Sequence, residues 1–303
     1  MPRAIRYHRL PTEQRHPKSR DLDCLSTPAL LRLMNREDAG MVRAVGTAIP
    51  QMARAVRLIA HALAHGGRLV FVGAGTSGRL GVLEAAECPP TFSTAPTQIQ
   101  AVIAGGRGAV FRSREGAEDR HAEGRWAIAR RVRAGDVVVG IAASGVTPFV
   151  AAALAAARRC SARTVLVTGH KHPPIRAEVT IALPVGPELL TGSTRLKTGT
   201  ATKLVLNMLT LGAMVRLGKT YGNLMVDARP TSRKLAARAV RMIRTLTGCS
   251  ERTAASALRR AQGRTKAAIL IAAERLTYPE ARRKLEDAGG SLRRALRGPS
   301  RMR

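Results

Sequence analysis

Two hydroxyl-bearing glycine loops and a few carboxylates are the side chains of this sequence with chemistry to offer. Thr76 and Ser77 sit in Gly73-Ala-Gly-Thr-Ser-Gly78, and Ser144 and Thr147 in Ser144-Gly-Val-Thr-Pro148. Hydroxyls beside backbone N–H groups at a helix start suit a phosphate monoester, because neutral donors converge on the anion and the helix dipole favours its charge. Glu87, just before Pro89-Pro90, and Glu84 one turn earlier lie within one helix length of the first loop. A carboxylate so placed is able to take or return a proton. Glu115, Glu118 and Asp119 form a second acidic group. Arg195 and Lys197 follow Ser193 and Thr194, two cations within a turn of a helix cap, where a sugar-phosphate site would use them.

Gly73, Gly75 and Gly78 also satisfy a dinucleotide-binding pattern, which needs an acid about 20 residues on, at the end of the next strand, to hold a ribose hydroxyl. That strand reads Gln98-Ile-Gln-Ala-Val-Ile-Ala104 and ends in Gly105-Gly106. Without the acid, a phosphate monoester is the better ligand for the loop. Two such loops on neighbouring strand ends predict one shared phosphate site at the carboxyl edge of a sheet.

The elements that must position these residues follow from periodicity. Apolar runs at about 68–73, 99–104, 136–142, 163–168 and 179–183 alternate with helical patterns, which predicts an α/β fold with a doubly wound parallel sheet. Thr147 before Pro148 reads as an N-cap with proline in the first helical turn. The helix following Gly78 is expected to stop at Glu87, halted by the double proline, which would set that carboxylate at a helix C-terminus. Further helices are predicted from Ser26 through Met34, Glu37 to His65, Leu196 to Leu217, Thr245 to Gly263 and Thr265 to Arg275. Three regions result: an N-terminal arm and helices over 1–59, a phosphosugar-binding domain over 60–223 and a helical domain over 224–303. Within the first, residues 1 to about 20 read as a disordered or partner-clasping arm.

Composition narrows the class. There are 51 Lys and Arg against 20 Asp and Glu, a net charge of +31, most of it arginine. Such a charge attracts polyanions at low salt. The arginines are spread along the chain, however, aromatics make up 3% and no recognition motif is present. An arginine-biased, solvated surface is the expected reading, with no nucleic-acid function. Cys24, Cys88, Cys160 and Cys249 are too scattered for a zinc knuckle or a disulfide framework, and His61 and His65 lack a third ligand nearby. No apolar window spans a membrane and no signal-peptide core is present, so a cytoplasmic, metal-free protein is expected.

The motifs together resemble a known family. The paired loops look like the sugar isomerase (SIS) fold. Gly73–Gly81, Glu87-Cys-Pro-Pro-Thr91, Ile103–Gly106, Glu115-Gly-Ala-Glu-Asp119, Gly140–Gly145, Gly192-Ser-Thr-Arg195 and Asn223–Asp227 are similar to the N-acetylmuramic acid 6-phosphate etherases. The likeness runs from about Leu10, through Thr12-Glu13, to Gly289-Gly290-Ser-Leu-Arg293. It implies a three-layer αβα SIS domain and cleavage of a D-lactyl ether in peptidoglycan amino-sugar recycling. It also implies a homodimer, with no metal and no organic cofactor. The family's principal acid–base glutamate falls on Glu87 and its second active-site glutamate on Glu118. Thr76, Ser77, Ser144 and Thr147 are the implied phosphate contacts, and Arg195 and Lys197 the accompanying cations.

The sequence departs from the family at Val146, where Arg is common, and at Thr168-Gly-His-Lys-His-Pro173, which replaces an Asn-Pro loop. A non-catalytic sugar-phosphate sensor and a phosphosugar isomerase are the alternative functions. A sensor would be expected to lose the acid–base pair, and an isomerase needs only the aldehyde–enediol half of the chemistry.

Overall fold

In a computed structural model, which describes residues 7–230 and 232–297, the apolar runs become five strands: β1 (Leu69–Gly73), β2 (Ile99–Ile103), β3 (Val137–Ile141), β4 (Arg163–Thr168) and β5 (Val179–Ala182). Every pairing is parallel and the order is β2-β1-β3-β4-β5. β1 and β3 are buried at every position, as strands covered on both faces must be. Before the sheet come α1 (Thr27–Gly46) and α2 (Ile49–Ala64), and between its strands run α3 (Gly75–Phe92), α4 (His121–Ala129) and α5 (Pro148–Arg159). Val70, Val72 and Val138 meet Phe149, Val150 and Leu154 of α5 in one core. Strand side chains alternate between faces, so Phe71 and Ile141 point the other way, toward Gly81 of α3. This is the doubly wound α/β architecture.

After β5 the chain continues through α6 (Lys197–Arg216), α7 (Arg233–Thr247), α8 (Glu251–Arg260), α9 (Thr265–Glu274), α10 (Tyr278–Asp287) and α11 (Leu292–Arg297). Two compact units divide the described residues. One comprises the chain up to Ala86 together with Pro96–Leu211; the other comprises Glu87–Ala95 together with the chain from Gly212 onward. The second has its own core, in which Ile243, Leu258, Ile269, Leu270 and Leu292 pack together.

Several boundaries differ from expectation. The first helical break falls at Thr47–Ala48 rather than near Asn35, because Pro50 suits the first turn of a new helix and nothing interrupts α1 earlier. Thr245 lies near the end of α7. Gly248, with φ of 70°, terminates that helix, and Ser250 caps α8 by accepting the Thr253 N–H. The largest correction concerns α3, which runs through both prolines to Phe92 instead of stopping at Glu87. Of the expected N-terminal arm, residues 1–6 lie outside the described residues, and from Tyr7 the chain forms short 3-10 turns, among them Pro11–Glu13.

Candidate active site

The strand order reverses between β1 and β3: β1 leads outward to β2, whereas β3 leads toward β4 and β5. In an open parallel sheet the crevice beyond the carboxyl ends at such a point is where ligands bind. Gly73 and Ile141 are register partners, so the loops after them leave the sheet at the same level. Those are the two hydroxyl loops.

Close packing sets the first loop. Gly75, with φ of 52°, opens α3, so Thr76 and Ser77 occupy the first helical turn, whose backbone N–H groups have no intrahelical acceptor. A Cβ on Gly78 would lie 2.7 Å from the Gly73 carbonyl oxygen and 2.5 Å from Ile103 Cγ1. Glycine is what lets α3 start directly over the end of β1. In the second loop the Ser144 hydroxyl accepts the Val146 N–H at 3.4 Å. Thr147 holds the N-cap position of α5 ahead of Pro148, as its sequence predicts, but its hydroxyl makes no capping bond.

Thr76, Ser77, Ser144 and Thr147 line one cleft, and Glu118 lines it too. Val146 supplies an apolar patch of the wall. Further lining comes from Tyr7 and Leu10, from Thr12 and Glu13 of a 3-10 turn, and from Gly192 and Thr194 of the loop before α6. Glu118 stands on a 3-10 turn after Gly116 and is anchored by its neighbour Ala117, buried in the core against α5. Partial burial, then the charges of Asp119 and Glu115, push its carboxyl above the usual carboxylate range. The cleft therefore combines four hydroxyls with a carboxyl whose proton is held to higher pH than usual.

The other carboxylates and cations have separate places. Glu87 is exposed on α3 and belongs to the second compact unit, whereas the cleft lining belongs entirely to the first. Glu84 is buried; its carboxylate accepts bonds from Lys203 Nζ at 2.7 Å and from the Thr210 hydroxyl, tying α3 to α6. Arg195 is exposed and outside the cleft lining. Lys197 is buried, and its ammonium lies 3.3 Å from Glu37 Oε2. The cap of α6 comes from neither Ser193 nor Thr194: fully buried Glu188 accepts the backbone N–H groups of Lys197 and Thr198, each at 2.9 Å. A carboxylate this far from the helix start along the chain leaves no local signal. Thr12 and Glu13 do leave one, as the first matched motif of the family resemblance.

Among the described residues no group of three or more His, Cys, Asp or Glu side chains is placed to hold a metal ion, and no helix is long and apolar enough to cross a membrane. His61 of α2 and His65 just past its end have ring centroids 4.2 Å apart.

Comparison with known proteins gives consistent matches. Residues 51–158 match the family model of the glucokinase regulatory protein N-terminal SIS domain. Over 291 residues the chain is 54% identical to an N-acetylmuramic acid 6-phosphate etherase of Gloeobacter violaceus, covering 95% of each protein. It is 54% identical over 265 residues to the protein of that name from Symbiobacterium thermophilum, covering 87% of this chain and 88% of the relative. To N-acetylmuramic acid 6-phosphate etherase 2 of Vibrio cholerae it is 47% identical over 290 residues, covering 95% of this chain and 94% of the relative.

Proposed function

The chain belongs to the N-acetylmuramic acid 6-phosphate etherase family, and from that premise we propose which of its residues carry the reaction. The enzyme cleaves the D-lactyl ether of N-acetylmuramic acid 6-phosphate with water, giving N-acetylglucosamine 6-phosphate and D-lactate. The observation that carries the site assignment is the convergence of Thr76, Ser77, Ser144 and Thr147 with Glu118 in one cleft at the strand-order reversal. The four hydroxyls and the first-turn N–H groups of α3 hold the 6-phosphate.

In the open-chain sugar the C1 aldehyde acidifies the C2 proton. Glu87 removes that proton, the electron pair forms the C2–C3 double bond and the C3–O bond breaks. The same carboxyl returns its proton to the departing lactate oxygen, which a syn elimination allows. Water then adds to the unsaturated aldehyde, its oxygen at C3 and a proton at C2. Glu118, held protonated to higher pH than an ordinary carboxyl, donates to a sugar oxygen. Neither Lys197, engaged with Glu37, nor Arg195, exposed and outside the cleft lining, is assigned a phosphate contact.

The protein acts as a cytoplasmic homodimer in this reading. Met208, Leu211 and Val215, exposed at helical spacing along α6, support an apolar face for a second copy. The +31 charge is a solvated arginine surface with no nucleic-acid role. Incubation with N-acetylmuramic acid 6-phosphate tests the assignment: wild type releases D-lactate, whereas Glu87→Gln releases none and still binds the phosphosugar. Lactate release by Glu87→Gln at the wild-type rate would remove Glu87 from the mechanism.

A further inference from the structure

The cleft has walls of two kinds. Ser77 and Thr147 stand at strand-to-helix junctions fixed by the sheet. Thr12–Glu13 and Gly192–Thr194 belong to a 3-10 turn and a loop, so their positions depend on anchors elsewhere. These two segments touch directly, the Gly192 N–H donating to the Thr12 carbonyl at 3.0 Å, and next to them the Ser19 hydroxyl donates to the Leu189 carbonyl at 2.7 Å.

Both segments are also tied to one carboxylate on α1. Glu37 Oε2 lies 3.0 Å from His16 Nε2 and 3.3 Å from Lys197 Nζ. His16 is buried, and its Nδ1 accepts the Lys18 N–H at 3.2 Å. With Nδ1 serving as acceptor, the ring proton is on Nε2 and is donated to Glu37. The Lys197 side chain is only 4% exposed, and a buried ammonium requires a counter-charge. Lys18 reaches the other oxygen, Oε1, at 3.4 Å, but its side chain is 70% exposed and adds little. Burial opposes the charge on Glu37, yet the His16 bond and the Lys197 charge outweigh it and hold the carboxyl below the usual range.

We propose that Glu37, which does not line the cleft, is a positioning residue for the etherase reaction: through His16 and Lys197 it holds Thr12–Glu13 and Gly192–Thr194 against the bound sugar. The proposal rests on the reading of this cleft as the active site. It predicts a loss of substrate affinity more than of turnover. When the binding-competent arrangement falls to about one molecule in ten, apparent affinity falls about tenfold.

The test uses the full-length enzyme with N-acetylmuramic acid 6-phosphate. Steady-state kinetics and amide hydrogen exchange are measured for Glu37→Ala, Glu37→Gln, His16→Gln and, as a cleft control, Ser77→Ala. The expected result is a KM raised about tenfold in Glu37→Ala, with kcat held within about threefold. Exchange at the Gly192 amide quickens, while the amides of Val138 and Val139 stay protected. Where Glu37→Ala does not fold, His16→Gln and Glu37→Gln decide by the same readouts. A loss in Ser77→Ala alongside wild-type KM in the Glu37 and His16 variants overturns this proposal alone. Wild-type efficiency in Ser77→Ala overturns the cleft reading, and this proposal with it.

Discussion

Thr147→Val separates a ligand-binding hydroxyl from a helix-capping one. Threonine at an N-cap ordinarily accepts a backbone N–H, and losing that bond costs about 1 kcal/mol. For a unit of this size such a loss lowers Tm by about 2–4 °C. Thr147 makes no capping bond, and Pro148 already sets the backbone angle of the first turn. Valine keeps the branched shape in a position only 9% exposed, so Tm is expected to move by less than about 1 °C. In the proposed assignment its hydroxyl serves the phosphate in the cleft that it lines. A hydrogen bond to a charged group contributes about 1.5–3 kcal/mol, and each 1.4 kcal/mol is a factor of ten, so kcat/KM is expected to fall roughly 10- to 100-fold. D-lactate release coupled to D-lactate dehydrogenase gives the rate, and competitive inhibition by inorganic phosphate should weaken in parallel. A Tm lowered by several degrees with unchanged kcat/KM would refute the assignment and return Thr147 to an ordinary capping role.

Two further outcomes follow from the cleft. Glu118 has its carboxyl raised above its unfolded value by burial and by Asp119 and Glu115, so its proton-donating form persists to higher pH than an ordinary carboxyl's, while the stability tied to it is full below the unfolded value and is lost as pH rises from there through the raised one. Removing the like charges with Asp119→Asn and Glu115→Gln should draw the alkaline limb of the kcat profile downward, and an unmoved limb would exclude Glu118 as its source. Gly78→Ala drives a Cβ into the Gly73 carbonyl, which cannot yield as a flexible side chain would. It should cost about 1–3 kcal/mol in thermal unfolding and also lower kcat/KM by displacing Thr76 and Ser77; wild-type values in both assays would contradict the close-approach argument.

What the sequence makes legible here depends on how far each cause lies along the chain. Val137–Ile141 reads as a strand because both its faces are buried and it is apolar throughout, and Thr147-Pro148 reads as a helix start because the determinant is local. The α1–α2 break also has a local cause in Pro50, yet the helical pattern on either side outweighs it on inspection. Glu188 capping α6 is invisible to a search for neighbouring caps, because its carboxylate arrives from across a loop. The Glu37–Lys197 pair joins residues 160 positions apart, and no periodicity in either segment announces it. The hydroxyl loops and the wall motifs Thr12–Glu13 and Gly192–Thr194 are legible, and the long-range contacts that hold those walls in place are not.

Glu87 shows how tertiary packing overrides a strong local signal. Two consecutive prolines inside a helix withhold the N–H groups that the Ala85 and Ala86 carbonyls would accept, a penalty of about 3 kcal/mol or more per proline. The helix nevertheless continues. Cys88 and Phe92 are buried on either side of the prolines, and Ser93 closes the segment by donating its N–H to Pro89 and its hydroxyl to the Asp227 carbonyl, both within the second unit. The double proline lies just past the change from one compact unit to the other, which falls between Ala86 and Glu87. The helix end, with its partial negative charge, lies at Phe92, more than a turn beyond Glu87 and outside the short range over which that charge acts. The role proposed for Glu87 therefore cannot draw on the end of its own helix.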